Sequence, residues 1–127
     1  MYIGWPVELY DIEMEPEVRI WLEGLTIRHL ARVDFMVGLL AGQAETLGEP
    51  YTRHLGGKTR ELRFFLGSQQ VRVTYWLAPR RRVVLLTVFR KSRQKEISEV
   101  ERAHLAQKIC EAEHGDVHVD VFEREVN

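Results

Sequence analysis

The chain is poor in cysteine: Cys110 stands alone, so no disulfide can close within one molecule, and a reducing compartment is the expected home. It also lacks an apolar run of membrane-spanning length; the best stretch, residues 83–89, is short and carries Thr87. The first twenty residues hold Glu8, Asp11, Glu13, Glu15 and Glu17, the reverse of a basic-then-apolar export signal. The expected location is therefore cytoplasmic. There is no phosphate-cradling loop of the G-x-x-x-x-G-K-[ST] type and no ordered Ser-His-Asp set. Histidines occur without zinc-site spacing, and Gly115 between His114 and His118 disfavours a helix presenting both. These absences lead to an expectation of no metal, no cofactor and no membrane partner.

What is present fits one domain. At 127 residues the chain can bury roughly two-thirds of its unfolded surface, enough for a core without staples. The net charge of −1 conceals a segregation. From Arg53 to Lys95 there are twelve bases against one acid, Glu61, a balance of +11; the remainder carries six bases and eighteen acids, or −12. Such asymmetry suits a polyanionic partner for one part of the molecule. The plainer alternative is arginines scattered over loops and paired with helix acids. Convergence on one face would separate the two.

Residues 5–11 alternate and read as a first strand, with Val7 and Leu9 on one side. Glu15 and Pro16 open a helix carrying Val18, Trp21, Leu22 and Leu25 at helical spacing. Thr26 is a candidate N-cap for a longer helix over 27–47, closed by Gly48-Glu49-Pro50. Three strands follow at 61–66, 71–77 and 83–89, with a hairpin turn at Gly67-Ser68 and another turn at 78–81. A third helix spans about 96–113, acidic in its first turns as the helix dipole favours. The expected fold is α+β, order β-α-α-β-β-β-α, an antiparallel sheet with the two N-terminal helices on one face. Alternation then places Leu62, Phe64, Val71, Val73 and Tyr75 under those helices, and Arg63, Arg72, Thr74 and Trp76 on the other face.

Three stretches carry a family resemblance: LGGKTRELRF at 55–64, VRVTY at 71–75 and VVLLTVFRK at 83–91, followed by a basic linker into a helix with Ala103 near its middle. In motif order and spacing, from Trp5 to Glu113, the chain resembles the RelE/HigB-type toxins of type II toxin–antitoxin systems, most closely their phage-derived, HigB-like branch. The resemblance implies a toxin domain over 1–114. Residues 115–127 have no counterpart, and their alternating valines read as an added edge strand or a disordered tail. It further implies a ribosome-dependent endoribonuclease that cuts mRNA through the 2′-hydroxyl, and a cognate antitoxin, commonly a helix-turn-helix protein from the adjacent gene. By position it assigns Arg63, Arg72 and Lys91 as catalytic or phosphate-binding bases.

The chemistry suits those residue types. In-line attack by the 2′-oxygen requires removal of its proton, stabilisation of the phosphorane and protonation of the leaving 5′-oxygen. Arginine's planar fork matches two phosphate oxygens and stays charged. Glu61 or His54 is the candidate base or orienter; the plain readings are an ion pair for Glu61 and an exposed loop residue for His54. Lys58, Arg60, Trp76, Arg80, Arg81, Arg82, Arg90, Arg93 and Lys95 are candidates for holding RNA, with Trp76 equally suited to packing under the third helix. The family pattern of a tyrosine or histidine soon after the last strand is missing from Ser92-Arg93-Gln94-Lys95. That departure keeps two alternatives open: a ParE-like toxin that binds DNA gyrase without cutting RNA, and an inactive, antitoxin-bound relic.

Overall fold

Alternating apolar side chains in the middle of the chain build a sheet that, among the described residues, has five strands with helices packed on both faces. The computed structural model describes residues 9–94 and 96–114. Chain order is β1 (Asp11–Met14), α1 (Pro16–Glu23), α2 (Ile27–Gly42), β2 (Thr52–Gly56), β3 (Thr59–Leu66), β4 (Gln69–Ala78), β5 (Arg82–Arg90) and α3 (Glu96–His114). The strands lie in the order β1-β5-β4-β3-β2. β1 runs parallel to β5, and the other neighbours are antiparallel.

The expected α+β class holds, with two differences in the strands. The first described strand is Asp11–Met14, which shares only Asp11 with the expected 5–11; of that stretch 5–8 lie outside the described residues. Its signal was masked because Glu13 occupies a fully buried position, paired with Arg82 at 3.1 Å. An acid there reads as surface. The other difference is β2, an edge strand where a loop was expected; TRHLG has no apolar alternation and only Thr52 is buried. Residues 115–127, including the proposed edge strand, lie outside the described residues.

Local chemistry accounts for the helix starts. Pro16 takes the first position of α1, where its missing N–H costs nothing. The Thr26 side chain accepts from the His29 N–H at 3.2 Å and caps α2. That helix stops at Gly42, short of 47, yet Ala44 and Leu47 in the following turns remain buried in the same core. Gly67, at φ 60, opens the two-residue turn between Leu66 and Gln69, a left-handed position that glycine reaches without strain.

The main core lies between α1, α2 and one sheet face. Val18, Val33, Val37 and Leu40 meet Leu62, Val73, Tyr75 and Leu85, and the inward partition expected from alternation is observed. The opposite face is half covered. α3 crosses it, seating Ala103, Gln107 and Cys110, and a second small core forms around Trp76, Val84, Leu86 and Cys110. The Trp76 indole donates to Cys110 Sγ at 3.4 Å, and burial pushes the thiol up to about 11. Trp76 is thus a packing residue, and the expectation that it stacks on RNA is corrected.

α3 is pinned at several points. Arg102 forks onto both carboxylate oxygens of Glu17 at 2.5 and 3.0 Å and also donates to Glu99, while Glu17 accepts from the Val88 N–H. His104 Nδ1 lies 3.0 Å from Thr59 Oγ1, and Lys58 pairs with Glu111 at 2.5 Å. Because Ala103 has no exposed surface beneath this helix, Ala103→Leu is expected to lift α3 and cost about 1–3 kcal/mol, as overpacking does. Denaturant unfolding measures it; an unchanged midpoint would mean that α3 is loosely seated.

Candidate functional site

The part of the second face that α3 leaves open carries charge instead of apolar packing. On β3, Glu61 and Arg63 are two residues apart and share that face. Antiparallel pairing sets Arg72 of β4 directly opposite Arg63, and Arg53 of β2 directly opposite Glu61. Cross-strand partners lie about 4.5–5.5 Å apart at Cβ, so four charged side chains are gathered by register alone.

Glu61 is the centre of this group. Only 1% of it is exposed, and one carboxylate oxygen lies 3.6 Å from Arg63 Nε and 3.7 Å from Arg72 Nε. These are ion pairs longer than hydrogen bonds, and among the described residues neither carboxylate oxygen has a hydrogen-bond donor. Burial pushes the Glu61 carboxyl above its usual range, against the pull of Arg72 and Arg63. Burial likewise lowers Arg72, with repulsion from Arg63 adding to it. Both shifts have the same leading cause, burial away from water. A phosphate would supply acceptors to the guanidinium groups.

Arg72 forms the floor. Its Nη1 donates to the Val71 carbonyl and its Nη2 to Gln70 Oε1, both at 3.2 Å. Arg63 is more open, with 24% of its side chain exposed. Both line a cleft of about 310 Å³ with Tyr51 and Gln70 and with Arg32 and Met36 of α2, so it extends to the side of the sheet that α2 covers. Lys91 lies just past β5, and its N–H donates to the Gln70 carbonyl at 2.9 Å. Gln70 therefore touches Arg72 through its side chain and Lys91 through its backbone. The Lys91–Gln70 rung is two residues from Arg72, roughly 7 Å along the strand. A second cleft, about 570 Å³, runs between β2 and the start of α3, lined by Arg53, His54, Arg93, Gln94 and Glu96 among others. A third, about 610 Å³, surrounds Lys91 and shares Gln94 with the second.

Other expected RNA contacts are dispersed. Arg82 is buried and donates to Glu13 and to the Pro79 carbonyl, so its assignment to RNA is corrected. Arg80 and Arg81 sit at the β4–β5 tip, roughly 20 Å along β4 from Arg72, and do not join the cluster. Both adopt the left-handed region, at φ 64 and 56, and Arg81 stacks over the Tyr10 ring at 4.3 Å. Lys58 is tied to Glu111, and Arg60 lies opposite Tyr75 and His54, off the face of Glu61. His54 Nε2 is 2.8 Å from the Gly57 carbonyl oxygen, which accepts from it, while the ring borders the second cleft. Arg90 and Arg93 are exposed beside the clefts, and Lys95 lies outside the described residues. Sequence reasoning missed Arg53, Gln70 and Glu96. A strand over 52–56 would have exposed Arg53 as the partner of Glu61; Glu96 carried no signal beyond a helix start.

The fold, a sheet with paired helices on one face and a third helix on the other, is similar to that of a known toxin. A mutant of the Escherichia coli toxin RelE in the free state matches with a TM-score of 0.54 and 13% identity, covering 79% of this chain and 98% of that one. The toxin–antitoxin complex RelBE2 from Mycobacterium tuberculosis aligns with a TM-score of 0.49 and 27% identity, over 66% of this chain and 100% of that one. The family model described as phage-derived protein Gp49-like matches residues 20–109, and the chain belongs to that family. Among curated proteins none matches.

The cluster makes a separable energetic prediction. Arg72→Leu strips the buried Glu61 of one of its two ion-pair partners and is expected to cost about 3–5 kcal/mol. Arg72→Leu combined with Glu61→Gln is expected to lose clearly less than the two single losses added together. Denaturant midpoints for the four proteins check this; strict additivity would show that the two groups do not interact.

Proposed function

We propose that this chain is the toxin of a type II toxin–antitoxin pair, a ribosome-dependent endoribonuclease that cuts mRNA in the cytoplasm without a metal or cofactor. The carrying observation is the cross-strand apposition of Arg63 and Arg72 beside Glu61, with both arginines bordering a cleft open to solvent. The Gp49-like family and the RelE-like fold support the same reading.

In this reading the scissile phosphate sits against Arg63, with Arg72 beneath it. Their forks offset the charge that builds on the non-bridging oxygens as the 2′-oxygen attacks. Fixed donors of this kind do most where water is scarce, and a buried floor supplies that setting. Glu61 acts as an orienter: it holds both guanidinium groups on the open side, and at 1% exposure it has no path to a sugar hydroxyl. Lys91, at the end of β5, donates a proton to the leaving 5′-oxygen or clamps the phosphate. Arg53, Arg90 and Arg93 hold the flanking backbone of messenger or ribosomal RNA. A helix-turn-helix antitoxin from the neighbouring gene covers the site when the toxin is silent.

Purified protein added to translating ribosomes, with messenger 5′ ends mapped, tests the reading. Discrete cuts in the A-site codon are expected, falling about 10²–10³-fold in Arg63→Ala and at least as far in Arg72→Ala. Intact messenger with double-strand breaks in chromosomal DNA would replace this reading with the gyrase one. Absence of growth arrest on expression without antitoxin would mark a relic.

A further inference from the structure

A ribonuclease using the 2′-hydroxyl needs a group to take its proton, and the cluster described above does not contain an accessible one. Glu61 is enclosed and held by two arginines. The linker 92–94 carries no tyrosine or histidine. His54 borders the second cleft but sits opposite Arg60, off the face of Glu61. Among the described residues the base is therefore sought on a neighbouring element, and resting on the ribonuclease reading, we infer that Glu96, the first residue of α3, is the catalytic base.

Three observations converge on it. Glu96 borders the cleft between β2 and α3 together with Arg53, whose cross-strand partner is Glu61. It is half-buried, unlike the enclosed Glu61. It is also among the charges that act on both Glu61 and Arg72. Of the other acids in the first turns, Glu101 also lines this cleft. Glu99 is engaged by Arg102, and Glu101 is exposed and is not among the charges acting on Arg72 or Glu61. A carboxylate in a first helical turn has a sufficient structural reason through the helix dipole. The cleft, and the arginines across it, are what that reason leaves unexplained.

Glu96 takes the proton of the 2′-hydroxyl as the 2′-oxygen bonds to phosphorus. The bond from phosphorus to the 5′-oxygen breaks, and that oxygen leaves with a proton from Lys91. The products are a 2′,3′-cyclic phosphate and a 5′-hydroxyl, and solvent returns the proton from Glu96 to Lys91. The cleft, about 570 Å³, is large enough for the nucleotide that bears the reacting hydroxyl.

The test compares Glu96→Gln, Glu96→Asp and Lys91→Ala on ribosomes programmed with a single messenger. Glu96→Gln is expected to slow cutting about 10²–10⁴-fold while binding to ribosomes carrying a 2′-deoxy A-site codon stays as in the wild type. Glu96→Asp keeps a carboxylate and is expected to fall between the two. Replacing the 5′-oxygen with sulfur makes a leaving group that needs no proton; it should restore Lys91→Ala but not Glu96→Gln. The assignment is overturned if Glu96→Gln cuts at the wild-type rate, if its loss appears equally in binding, or if the sulfur substrate restores it. Wild-type protein that leaves the messenger whole would instead bring down the ribonuclease reading, and this assignment with it.

Discussion

A single carboxylate enclosed in the sheet governs the open face of this protein. Glu61 occupies a position where a strand would ordinarily place an apolar or exposed residue, and it is kept there by two arginines that approach without forming short hydrogen bonds. Such a cluster is a poor source of stability, because the desolvation of three charged groups rivals their attraction. What it confers is position. With Glu61 at the centre, Arg63 and Arg72 are held on one side of the sheet instead of spreading into solvent, where two like charges on neighbouring strands would repel. The upward displacement of the Glu61 carboxyl and the lowering of Arg72 are the signature of that compromise.

The third helix sets the boundary of this open region. Its far half buries Trp76 and Cys110 against β4 and β5, and its near end borders the cleft that holds Arg53 and Glu96. The Arg102–Glu17 fork binds the helix to α1 and, through Val88, to the last strand. Helix seating and site geometry are thus linked: a shift of α3 would move Glu96 relative to Arg72 while leaving the main core on the other face intact.

Much of this was legible in the residues. The period-two pattern of β3 and β4 correctly separated Leu62, Phe64, Val71, Val73 and Tyr75 from Glu61, Arg63 and Arg72. Two strands were not legible in full, for the same reason: Glu13 and the TRHLG stretch carry polar residues where sheet pairing and an internal ion pair, and not hydrophobicity, maintain the strand. Trp76 and Arg82 were misplaced because alternation reports a face and is silent about what covers it. Both are on the second face, under the half that α3 occupies or against Glu13.

By itself, then, the amino-acid order settled the periodicities, the helix starts at Pro16 and Thr26, and the gathering of positive charge into one segment, since each depends on neighbours within a turn or a strand. Tertiary structure decided which of those charges share a site. Strand register set Arg53 against Glu61 and Arg63 against Arg72, and the packing of α3 brought Glu96 in and shut Trp76 away. These are contacts between residues far apart in the chain, and their partners are selected only when the whole core closes.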